Sequence, residues 1–165
     1  MFFKSKLSIV LTKLVIKNNS YSSEEQYLLK ASKNLGIKIT YEKILYYYEE
    51  EPNMFGEQNH IIALKVDDYN LDRIRKVFDS TLSIKLPIEQ YLKQNVLDAF
   101  YDESAIKSLG TKAMTKGEML FYCMETKSFL SLKDLEIRYE TVFRNYNIYI
   151  LNRKDRTLWL CSVRT

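Results

Sequence analysis

His60 is the sole imidazole in the 165-residue chain, and Cys123 and Cys161 are the only thiols. His60 could serve as a general base, with Glu57, Asp67 or Asp68 orienting the ring. Mechanisms that need two histidines are excluded by count. A Cys–His dyad is open, but neither cysteine has an adjacent base or a following helix start to lower its thiol pKa. Two Cys and one His at unrelated spacings give no zinc ligand pattern. Both cysteines lie in apolar runs, where a free thiol behaves as a small hydrophobe, and a reducing, cytoplasmic setting is the simplest expectation.

Glu125-Thr126-Lys127 follows the apolar run 119–124. A carboxylate and a lysine two apart at a strand end, with Asp98 or Asp102 upstream, could hold a divalent metal and polarise a phosphate. The pattern is short and arises readily by chance, and a solvated strand end is the simpler account. Only four glycines are present, too few for a phosphate-cradling loop. No catalytic residue is assigned, no cofactor or metal is expected, and a non-enzyme is favoured.

Two charged and aromatic groupings suit binding instead. Tyr46-Tyr47-Tyr48-Glu49-Glu50-Glu51 is the most distinctive string. On a strand at least one of the three tyrosines must face away from the other two. Residues 40–110 hold thirteen acids against eight bases, so the middle of the chain is acidic. Tyr47, Tyr48, Glu49, Glu50 and Glu51 with Asp67 and Asp68 form a candidate surface for a basic protein partner, since tyrosines anchor interfaces and opposed fields speed encounter. Residues 138–165 carry six bases and two acids. There Arg138, Arg144, Arg153, Lys154 and Arg156 interleave with aromatics, an alternative surface for RNA or single-stranded DNA.

These groups need elements to hold them. Ser22 with Glu25 makes a capping box for a helix through Tyr27, Leu28, Ala31 and Leu35, closed by Gly36. Residues 37–48 alternate as a strand, bulged, and 60–66 as another; together they make a hairpin with a long connection. Asn70 is placed to cap a helix bearing Leu71, Ile74, Val77 and Phe78. Pro87 fits the first turn of a further helix running to Phe100, and a short helix is expected at 105–109. Residues 119–124 read as a buried strand, and Ile137, Tyr139, Thr141 and Phe143 alternate. In the last hairpin, a turn at Lys154-Asp155 makes partner numbers sum to 309. Ile150 then opposes Trp159, Ile148 opposes Cys161, and Leu151 opposes Leu158. Both faces are apolar, so this hairpin should sit inside a sheet covered on both sides.

The bulk figures agree with one α+β domain, helices packed on a mainly antiparallel sheet with a C-terminal β-meander. A helical region 1–36, a mixed region 37–117 and a sheet region 118–165 divide residues 1–165. Hydrophobic residues make up 46% and aromatics 13%, which excludes intrinsic disorder. The net charge of +4 resides in residues 1–23, which contain four lysines and no acid. Residues 3–16 fit either a helix or a strand and are read as a helix packed on the core with its lysines in water, with a targeting presequence or a membrane-surface helix as alternatives. No run approaches the ~20 apolar residues of a membrane span. The expectation is a small protein-binding module of the kind a bacterial inhibitor or immunity protein uses to neutralise a toxin or nuclease. Nucleic-acid binding is the alternative, and a metal-dependent nuclease the second alternative.

Overall fold

Apolar alternation on both faces of the last hairpin sets the centre of the molecule. A computed structural model describes residues 22–51, 54, 58–88, 116–137 and 145–164. Strand β6 (Asn145–Asn152) pairs antiparallel with β7 (Thr157–Arg164), and every partner pair from Asn145↔Arg164 to Asn152↔Thr157 sums to the expected 309. On their outer sides lie β2 (Gln58–Lys65) against β7 and β4 (Gly117–Cys123) against β6. Strand β1 (Lys43–Glu49) closes one end of the sheet. Two short strands, β3 (Ile84–Leu86) and β5 (Ser128–Leu130), pair end to end along the other side of β4. The seven-stranded sheet is antiparallel throughout, in the order β1-β2-β7-β6-β4-β3.

Each face of this sheet has its own core. On one, Ile62, Leu64, Tyr149, Leu151, Leu158 and Leu160 pack against two helices, α1 (Ser23–Leu35) and α2 (Asp68–Ser80). On the other, Ile61, Phe121, Ile148, Ile150, Cys161 and Val163 pack together with Leu135 of the short α3 (Leu132–Ile137). Each large aliphatic side chain buried in this way contributes roughly 1.5–3 kcal/mol. The described residues thus form a single α+β domain with a C-terminal meander.

The local signals for α1 are met in full. Ser22 Oγ accepts from the Glu25 amide at 3.2 Å, and Glu25 Oε2 accepts from the Ser22 amide at 3.0 Å. Gly36, in the left-handed region at φ 67°, ends the helix. The β1–β2 hairpin is bulged where Leu45 is the extra residue.

Three expectations are corrected. Asp67, not Asn70, caps α2: its carboxylate accepts from the Asn70 amide at 2.8 Å and from Asn70 Nδ2 at 2.7 Å. Residues 37–42 are not strand, because Ile39 turns under α1, where its amide donates to Ser32 Oγ at 3.1 Å. Ile137 ends α3 rather than starting an alternating strand. The expected helices at 3–16 and 105–109, the expected helix from Pro87 beyond Ile88, and the alternation at 139–143 lie outside the described residues.

Candidate functional site

Four polar side chains interrupt the apolar pattern on the α1 face of the sheet, and the register lines them up. Glu49 on β1 opposes His60 on β2, His60 opposes Ser162 on β7, and Ser162 opposes Asn147 on β6. Directly opposed residues share a face, so one polar row crosses four strands. Above it, the capping box orients α1 so that Ser23, Gln26, Tyr27 and Lys30, at helical spacing, face the row. With Glu49, Gln58, His60 and Arg164 they line a cleft of about 240 Å³.

Glu49 is the acceptor centre of the cleft. Its carboxylate takes hydrogen bonds from Ser23 Oγ at 2.6 Å, Tyr47 Oη at 2.5 Å and Gln58 Nε2 at 3.0 Å. The bonds from Ser23 and Tyr47 hold its pKa below the ordinary carboxylate value. His60 Nδ1 lies 3.9 Å from Glu49 Oε1, too far for a hydrogen bond. Tyr27 stacks on the imidazole with ring centres 5.4 Å apart. Burial lowers the His60 pKa; Glu49 opposes the shift, and the charges of Arg164 and Lys30 add to it. The ring is therefore neutral at pH 7. Lys30 is also depressed, to about 8, by burial first and then by Arg164.

The row carries polar atoms that the described neighbours do not satisfy. Among the described residues, Tyr27 Oη, His60 Nδ1, Ser162 Oγ and both amide atoms of Asn147 are buried without a hydrogen-bond partner. The Tyr27 and Ser162 hydroxyls lie near each other, but neither closes a bond of ordinary geometry. Buried polar groups are nearly always satisfied by protein, water or ligand, so this row is the least self-sufficient part of the described interior. Farther along α1, Asn34 does reach a partner, donating to Tyr149 Oη at 2.8 Å.

The residues singled out from sequence fall in different places. Tyr47 is exposed on the α1 side of β1 and shares a 2.9 Å hydrogen bond with Ser23. Tyr48 turns the other way and packs on the opposite core. Glu50 and Glu51 are exposed just past β1. Asp67 and Asp68 lie beyond the other end of β2, about 20 Å away at ~3.3 Å per strand residue. The seven residues do not make one surface. The Asp67 carboxyl is held below its ordinary pKa, chiefly by the Asn70 amide it caps. Neither Asp67 nor Asp68 orients His60, and Glu57 lies outside the described residues. Glu49 stands beside the ring instead.

The basic group is largely committed to internal pairs. Arg153 bonds both Asp79 and Glu118, at 2.6 Å to the latter, and Arg156 pairs with Asp68 at 3.1 Å and Glu42 at 3.4 Å. Lys154 is exposed in the turn, while Arg138 and Arg144 lie outside the described residues. Glu125 and Lys127 occupy an exposed hairpin turn between β4 and β5, not a strand end. Asp98 and Asp102 lie outside the described residues, and among those described no three metal-ligating side chains cluster. Both cysteines are on the sheet face opposite His60, so no Cys–His dyad forms. Burial pushes the Cys161 thiol up to about 12, which makes it inert. Ser23 donates to Glu49 rather than to His60, an order unlike that of a nucleophilic triad. No described helix is long and apolar enough to cross a membrane.

No family model, curated protein or solved structure matches this chain.

The polar row is not legible from His60 alone, yet the sequence carries a signal for it. Under the 309 rule Asn147 opposes Ser162, a polar pair between apolar pairs on the same hairpin.

Proposed function

We propose that this protein is a protein-binding module that captures a basic partner at the β1 end of the sheet and the first turn of α1. The observation that carries this reading is the pair of exposed tyrosines there, each tied to a carboxylate. Tyr47 donates to Glu49 at 2.5 Å, and Tyr41 donates to Glu24 at 3.4 Å. Burial and the neighbouring acids raise the pKa of both phenols, so both stay neutral donors. Rings already held in place lose less entropy when a partner docks, and tyrosine supplies contact area at few rotatable bonds.

Charge supports the same surface. Glu24, Glu25, Glu49, Glu50 and Glu51 surround the tyrosines, against Lys43 on β1. Leu45, 46% exposed at the bulge, adds an apolar contact. Such a surface favours rapid capture of a positively charged protein, the mode by which an inhibitor or immunity protein blocks a toxin or nuclease. The competing nucleic-acid reading is weakened by the internal pairing of Arg153 and Arg156.

The test is calorimetric binding to the products of genes adjacent to this one, basic proteins first. We expect Tyr47→Ala with Glu50→Lys and Glu51→Lys to weaken binding at least a hundredfold while the circular dichroism stays unchanged. Equal affinity of the triple variant and the parent would overturn the reading.

A further inference from the structure

We propose that the cleft between α1 and the polar row is a binding site for a small carboxylate monoanion, contacted by Lys30, Arg164, His60 and Tyr27. This site is separate from partner capture at the β1 edge, although Glu49 borders both.

Unmatched charge is the first argument. Lys30 and Arg164 both line the cleft, and neither has a carboxylate within 4 Å among the described residues. Among the described residues the Lys30 ammonium has one polar contact, with Met124 Sδ at 3.6 Å. Two like charges at one opening repel each other, and an anion between them removes that repulsion. Unmatched hydrogen-bonding capacity is the second. His60 is 7% exposed and Tyr27 6%, both line the cleft, and among the described residues neither His60 Nδ1 nor Tyr27 Oη, beside the Ser162 hydroxyl, closes a hydrogen bond of ordinary geometry. Each can donate one hydrogen bond to an arriving oxygen.

The charge balance selects the ligand. Lys30 and Arg164 contribute two positive charges, Glu49 one negative, and the neutral His60 none. The surplus of one matches a carboxylate. A phosphate monoester carries about −1.5 to −2 at neutral pH, so part of its charge would face Glu49 uncompensated. Size agrees, because about 240 Å³ is below the ~300–1,000 Å³ of drug-sized pockets and suits a ligand of a few carbons.

His60 is the single histidine, so its Hε1 proton gives one isolated NMR resonance. The groups facing it are Glu49 on β1, Arg164 on β7, and Tyr27 and Lys30 on α1. The experiment titrates the full chain with acetate, with methyl phosphate and with chloride at constant ionic strength. We expect a saturable acetate shift in the millimolar range and a rise in the His60 pKa as the bound negative charge favours the imidazolium. Arg164→Gln, at an exposed position that does not threaten folding, should weaken acetate binding about tenfold or more, and Lys30→Met likewise. An acetate response no larger than that of chloride would overturn the site, as would unchanged affinity in Arg164→Gln. Tighter binding of methyl phosphate than of acetate would overturn the choice of carboxylate.

Discussion

At the scale of single residues, Lys30 makes a prediction about stability. Its ammonium is half-buried beside Arg164, and its pKa falls from 10.5 to about 8. Below pH 8 the folded protein must hold a charge that the unfolded chain holds more easily. Between pH 8 and 10.5 the unfolded chain binds more protons, so this destabilisation fades as pH rises. Lys30→Met should therefore raise the melting temperature at pH 7, and its advantage over the parent should shrink toward pH 10.5. Thermal melts of the two proteins at several pH values measure this; a constant difference would contradict it. His60 acts in the same direction at lower pH. Its neutral form is the one the fold prefers, so stability falls as pH drops below 6.5 and the ring is forced to charge.

Elements place these residues, and their legibility in sequence followed local physics. The β6–β7 register is legible because the polar run 152–157 separates two apolar runs and its centre, Lys154-Asp155, fixes the turn and so the partner sum. The start of α1 was legible because its cap is reciprocal and local. The cap of α2, Asp67, lies three residues before the expected Asn70. The first turn of a helix need not be apolar, so the onset of the apolar stripe at Leu71 does not mark its start. The Glu49–His60 pairing was not legible, since it depends on the bulge at Leu45 and on a connection whose length leaves register free.

Two backbone positions test the element account. Gly117 has φ +133°, and an added Cβ would stand 2.6 Å from the Leu151 carbonyl oxygen, a backbone atom that cannot swing aside. Gly117→Ala should cost about 2 kcal/mol or more, measured by urea denaturation. Lys127, by contrast, holds φ 53° in the exposed β4–β5 turn. Lys127→Gly relieves that conformation and should stabilise by about 0.5–1 kcal/mol. A loss of stability there would show that the lysine side chain contributes a contact that outweighs the strain.

For the whole molecule, stability should be graded from the sheet centre outward. Strands β2, β6 and β7 are paired on both sides and buried on both faces, whereas among the described residues β1 ends the sheet and β3 and β5 are three residues each. Native-state hydrogen exchange should be slowest for amides of Ile148, Ile150 and Leu160 and fastest along β1 and β3. Uniform protection across all strands would contradict this gradient. The cleft lies toward the β1 side, between the rigid centre and the freer edge, so ligand entry need not disturb β6 and β7.

The central position of β7 also has a consequence for synthesis. Strand β2 carries five consecutive buried residues, His60 to Leu64, and needs β7 alongside it, yet about ninety residues of chain separate the two. A ribosome adding roughly 5–20 residues per second leaves the β1–β2 hairpin waiting several seconds with one apolar flank unpaired. During that interval its apolar side chains stay exposed to other chains. Completion of the last hairpin is then the moment at which the sheet closes and the polar row gains its floor.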